Sequence, residues 1–198
     1  MTERIIAGTF DALIPAGGRG TRLGGAGKPE LLVAGQRLVD RVIGASRRAG
    51  VARVVVIGDD SAGALADTVL REDPPFAGPL ASIAAGIGQV TSDWCLILAC
   101  DLQHPDAVIA ALLENEEQRA ADGLVLRDAQ GYTQWLAGLY RTDAVAAACA
   151  QLGEQLINAP VRRALGQLDL AQLGVDDEIT DDIDTPQALA RARQNDKE

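Results

Sequence analysis

The sequence holds 198 residues, 47% hydrophobic and 23% charged, a balance that suits one folded domain with a substantial core. Its 18 basic and 28 acidic residues leave a formal net charge of -10, the wrong sign for general nucleic-acid binding, which needs a basic surface to displace counterions. Three cysteines without a CxxC pair and a single histidine, His104, argue against a disulfide framework and a Cys/His zinc cluster.

Apolar runs alternate with helix-like stretches along the chain. Ala12–Ala16 reads as a strand running into a glycine-rich loop, and Val39–Ala49 as an amphipathic helix. Val51–Gly58 is a β-branched strand ending in a turn, and the alanine-rich Pro79–Val90 reads as a helix. Trp94–Cys100 has the length and apolarity of a strand buried on both faces. Pro105–Ala120 follows as a helix, Gly123–Arg127 and Trp135–Tyr140 as strands, and Thr142–Leu152 and Pro160–Leu168 as helices. Thr185 and Pro186 supply the cap and first turn of a last helix, to Gln194, with residues 195–198 expected to fray. The alternation predicts one α/β domain over residues 1–198, with a mostly parallel twisted sheet covered by helices on both faces. No apolar run reaches the roughly 20 residues that span a bilayer, and Met1–Phe10 lack the apolar core of a signal peptide. A soluble cytoplasmic protein, with neither membrane nor nucleic acid as partner, is the expectation.

The chemistry concentrates in three places. Glycines after the first strand, Gly17, Gly18, Gly20 and Gly24, let backbone N–H groups approach a phosphate, and Arg22 and Lys28 can neutralise a triphosphate. The loop is neither a Walker A motif, since Pro29 follows Lys28, nor a dinucleotide fingerprint, since Leu23 stands where its third glycine belongs. Asp101 ends the buried strand where ligands of such sheets bind, and Mg²⁺ takes one or two carboxylates with phosphate oxygens and water; the competing role is a cap for the helix at Pro105. In the acidic run Asp181–Asp184, alternation around Ile183 puts Asp182 and Asp184 on one side, so that either can complete a metal site with Asp101. Trp94, Trp135 and the three cysteines read as packing residues, and His104 as a surface or capping residue.

The motifs Ala16-Gly17-Gly18-x-x-x-Arg22-Leu23-Gly24 with Lys28, Gly78-Pro79-Leu80-Ala81, Ala99-Cys100-Asp101 and Asp182-Ile183-Asp184-Thr185-Pro186 together resemble the molybdenum cofactor guanylyltransferases among the MobA-like NTP transferases. The resemblance runs from Ala12 to Ala192. It implies a Rossmann-like nucleotidyltransferase fold and transfer of GMP from GTP to the phosphate of a molybdopterin-type acceptor, with release of pyrophosphate. It implies that Pro15, Ala16, Gly17 and Gly18 line the nucleotide, that Arg22 and Lys28 bind its phosphates, and that Asp73 contacts the guanine nucleotide. Asp101 and Asp184 would hold Mg²⁺, and Gly131–Arg141 with Gly153–Leu165 would shape the acceptor pocket. Transient contact with cofactor-delivery or molybdoenzyme partners is also implied. Four departures, Asp182 and Asp184 where the guanylyltransferases usually carry Asn, Pro15 for the usual Leu, Gln103 where the family often has Pro, and no Asn near Ile57–Gly58, leave GTP and CTP both open. A transferase for another phosphorylated acceptor and a nucleotide-binding regulator stand as alternatives.

Overall fold

The computed structural model describes residues 9–17, 28–183 and 185–195, with Lys28, 194 and 195 described through their backbone alone. Strand β1 (Phe10–Pro15) lies in the interior of a seven-stranded sheet. On one side it pairs in parallel with β4 (Val54–Ile57), and β4 with the edge strand β5 (Thr68–Leu70). On the other it pairs in parallel with β6 (Trp94–Leu98). The long β8 (Thr133–Arg141) runs antiparallel between β6 and β7 (Gly123–Arg127), and β9 (Leu170–Gly174) closes that edge parallel to β7. A small hairpin, β2 (Leu32–Val33) and β3 (Gln36–Arg37), stands apart. Its turn residues Ala34 and Gly35 both have positive φ, 50° and 76°, the backbone that tight hairpins require.

Both faces of the sheet are covered, as its β-branched strands demand. Ala12, Ile14, Val54, Val56, Leu96 and Leu98 point into one core, which α1 (Leu38–Arg48) and α3 (Pro105–Glu114) cover. The intervening residues Leu13, Val55, Ile57, Cys95 and Ile97 point into the other, under α2 (Pro79–Ile87), α4 (Thr142–Leu152) and the short α5 (Arg162–Leu165). Each fully buried aliphatic side chain contributes about 1.5–3 kcal/mol. The one-turn α6 (Asp177–Thr180) and α7 (Pro186–Asn195) complete the chain. Thr185 caps α7 through its Oγ1, which accepts from the Ala188 N–H at 3.1 Å, the cap expected from the sequence.

The differences from the sequence reading have local causes. Of the Pro160–Leu168 stretch only Arg162–Leu165 is α-helical, because the Ala164 and Arg163 amides bond three residues back, to Val161 and Pro160. Helix α3 stops at Glu114 rather than 120, where the Asn115 side-chain amide donates to the Ala111 carbonyl and a separate 3₁₀ turn begins at Glu116. Helix α7 runs one residue past its expected end, through Asn195. Asp11 is fully buried in β1, and its carboxylate accepts from the Thr91 and Ser92 amides (2.7 and 3.2 Å) and from both hydroxyls. It fixes the turn that feeds β6, a structural use of a buried charge that the full set of donors makes tolerable.

Candidate active site

Two clefts open where β1, β4, β5 and β6 end. The first has a volume of about 540 Å³ and is lined by Gly17, Glu72, Phe76, Gly78, Ser82 and Asn158, among others. Pro15 ends β1, and the Ala16 amide donates to the Ile57 carbonyl at 2.7 Å, which sets Gly17 at the cleft. A Cβ at Gly17 would sit 3.3 Å from Glu72 Oε1, so a side chain there would press on the carboxylate. Gly78, with φ 93°, turns the chain into α2, and the N-terminal end of that helix therefore borders the cleft, a position that favours anions. The Asn158 amide donates to the Ala77 carbonyl at 2.6 Å and ties the far wall to this turn.

Glu72 is the residue that sequence reasoning missed. It is 4% exposed, its Oε1 accepts from the Phe76 amide at 3.0 Å, and its Oε2 is buried with no hydrogen-bond partner among the described residues. Leaving an acceptor of this kind unpaired is costly, and a ligand with N–H donors would satisfy it. Asp73, the position chosen from the sequence, is exposed and does not line the cleft. The two acids are adjacent, and only the turn geometry separates the buried one from the exposed one.

The second cleft, about 420 Å³, is lined by Ala99, Asp101, Gln134, Trp135, Arg162 and Asp182, among others. Segment 157–162 borders both clefts, with Ile157 and Asn158 facing the first and Pro160, Val161 and Arg162 the second. Asp101 follows β6 and is 5% exposed. Its carbonyl accepts from the Ile183 amide (3.0 Å), the Gln103 amide donates to the Asp181 carbonyl (2.9 Å), and Leu102 and Asp182 form an antiparallel bridge. The late acidic segment is thereby stitched to the Asp101 loop, and Asp182 shares the cleft with Asp101. The cap position of α3 is held by the exposed His104, not by Asp101, and the His104 side chain makes no capping bond.

Gly18, Arg22 and Asp184 lie outside the described residues, and Lys28 begins a 3₁₀ turn, Lys28–Glu30, ahead of the hairpin. No group of three or more His, Cys, Asp or Glu side chains able to hold a metal occurs among the described residues. The donor set that is present, Asp101 with Asp182, suits a hard cation that completes its shell with phosphate and water, as Mg²⁺ does. The cysteines do not offer a nucleophile at neutral pH where a shift is resolved: burial pushes the Cys95 thiol up to about 12 and the Cys149 thiol up to about 11. Trp135 packs partly against the core beneath α2 and α4 and also lines the second cleft. Trp94 lies away from both clefts and stacks under Arg119 at 4.6 Å.

The fold is that of the Rossmann-like nucleotidyltransferases. A model of the MobA-like NTP transferase domain matches residues 12–171, and the chain belongs to that family. The chain is 30% identical over 203 residues, 94% of its length and 98% of the relative's, to a probable molybdenum cofactor guanylyltransferase of Natronomonas pharaonis. Its fold is similar to that of molybdopterin-guanine dinucleotide biosynthesis protein A from Archaeoglobus fulgidus, with TM-score 0.70 at 20% identity over 94% and 98% of the two chains. It is also similar to a Mycobacterium tuberculosis protein solved in complex with manganese, with TM-score 0.65 at 18% identity over 94% and 98%. Among the described residues, no helix is long and apolar enough to cross a membrane.

Proposed function

We propose that this chain transfers GMP from GTP to the phosphate of a molybdopterin-type acceptor and releases pyrophosphate, with Mg²⁺ as its metal. The observation that carries this reading is the pair of clefts sharing the wall 157–162, one bordered by Gly17 and the start of α2, the other holding Asp101 and Asp182. The first would take the nucleotide and the second the acceptor. The guanylyltransferase name of the Natronomonas pharaonis relative supports the same choice of substrates.

An acceptor phosphate is already ionised at neutral pH, so the transfer needs no strong general base, and the work of the protein is positioning and charge neutralisation. Gly17, with Gly18, would let the backbone approach the triphosphate, and Arg22 and Lys28 would bind its phosphates and stabilise the departing pyrophosphate. Asp101, with Asp182 or Asp184, would hold the divalent ion, which when bound offsets charge on the phosphates. Arg162 lines the acceptor cleft and supplies a cation for the incoming phosphate.

Glu72 supports guanine. Guanine offers two adjacent donors, N1–H and the 2-amino group, to a carboxylate, whereas the pairing edge of cytosine offers one donor beside acceptors. The test is Mg²⁺-dependent pyrophosphate release with molybdopterin, GTP against CTP. Release with GTP is expected. Release with CTP alone would move the base assignment, and release with neither would remove the acceptor assignment.

A further inference from the structure

We infer that Arg41 is a positioning residue for the acidic end of the site, acting through the loop that carries Asp101. Arg41 sits on α1, outside the reacting groups. Its Nη2 crosses 62 residues of sequence to donate to the Gln103 carbonyl at 3.1 Å. Its Nη1 is buried with no hydrogen-bond partner among the described residues. The acid of the same helix turn, Asp40, is already taken by Arg37 at 2.6 Å. Among the described residues Arg41 therefore has no acidic partner, and a half-buried guanidinium in that state is unusual.

The place where it is held explains the arrangement. The Gln103 carbonyl lies two residues beyond Asp101, and the Gln103 amide bonds the Asp181 carbonyl. The Leu102–Asp182 bridge and the Ile183 amide on the Asp101 carbonyl complete the join. Arg41 thus fastens from behind the one stretch of backbone that sets Asp101 and Asp182 in a single cleft. Two carboxylates line that cleft, and a positive charge held on their loop favours keeping both there. A lysine would keep the charge and a donor for the Gln103 carbonyl, though not the planar guanidinium; a methionine would keep the bulk and lose both charge and donor.

This inference rests on the assignment of a divalent cation to Asp101. The test is a Mn²⁺ titration of the whole chain in the presence of GTP, followed by calorimetry, with kcat and KM for GTP and the melting temperature measured beside it. Arg41→Met is expected to weaken Mn²⁺ about tenfold or more, the range seen when a group supporting a metal ligand is lost. It should lower kcat at subsaturating metal, leave KM for GTP nearly unchanged at saturating metal, and barely move the melting temperature. Arg41→Lys is expected to recover most of the Mn²⁺ affinity. Wild-type Mn²⁺ affinity in Arg41→Met overturns the inference. So does a loss that follows the melting temperature and is equal in Arg41→Lys, because the arginine would then only hold the fold. Absence of Mn²⁺ binding by the wild-type chain, or binding that survives Asp101→Asn, would instead remove the metal assignment itself, and the role of Arg41 with it.

Discussion

Asp11, within β1, and Asp101, in the loop after the neighbouring β6, are both buried aspartates, and their surroundings separate their roles. The carboxylate of Asp11 has its donors within the chain, so Asp11→Ala is expected to destabilise the fold by about 2–3 kcal/mol, measured by denaturant unfolding. Asp101 lines a cleft beside Asp182, so Asp101→Ala is expected to abolish turnover while the melting temperature stays within a few degrees. Normal activity in that variant would remove its role. Glu72→Gln replaces an acceptor oxygen by a donor amide and is expected to raise KM for GTP about tenfold or more, the scale of one lost charge-assisted bond; an unchanged KM would leave Glu72 as a turn residue only. A fourth acid bears on stability alone. Burial would raise the pKa of Asp67, but the Val54 amide and Arg47 outweigh it and hold the carboxyl below its usual value. A depressed pKa stabilises above the unfolded value and loses that contribution as pH falls through the folded one. Asp67→Asn should therefore cost under about 1 kcal/mol at pH 7, because the group is well exposed. The difference from wild type should vanish in strong acid.

At the scale of elements, the central strands and the long helices were legible because burial on both faces leaves an unbroken apolar run, as in Cys95–Leu98, and burial on one face leaves a helical stripe, as in α1. The edge strands β5 and β9 carried no such mark. Thr68–Leu70 is short and half-exposed, and Leu170–Gly174 mixes Gln172 and Gly174 into a partly exposed run. Their conformation is set by pairing with β4 and β7 rather than by their own pattern. The hairpin at Ala34-Gly35 lacked the Asn-Gly signal of its turn type. Gly123, by contrast, explains itself only in three dimensions. At φ 146° a Cβ would stand 2.2 Å from the Leu139 carbonyl oxygen of the paired strand. Gly123→Ala is expected to cost at least about 1–3 kcal/mol, read as a lowered denaturation midpoint. An unchanged midpoint would contradict the tight approach of β7 to β8.

For the molecule as a whole, the place of the two clefts was legible and their lining only partly so. A glycine loop after the first strand and an acid after a central strand locate ligands by the topology of parallel sheets, and the two clefts lie there. The adjacency of Asp101 and Asp182 depends on the bridge at Leu102, a contact between segments 80 residues apart in sequence for which neither segment carries a signal. The resemblance pointed to Asp73, and the sequence does not show that Asp73 is exposed and Glu72 buried, because two successive acids in a Pro-containing turn look alike until the turn is built. The negative net charge of the chain also bears on the proposed reaction: a triphosphate substrate would need local cations and a divalent ion, so pyrophosphate release should stop when a chelator removes the metal and resume when Mg²⁺ is returned. The most direct measurement is the fate of α-labelled GTP incubated with molybdopterin, Mg²⁺ and the protein. Label is expected in a molybdopterin–guanine dinucleotide, with one pyrophosphate released per transfer, and neither with Asp101→Asn. Label found only in unreacted GTP or in free GMP would contradict it.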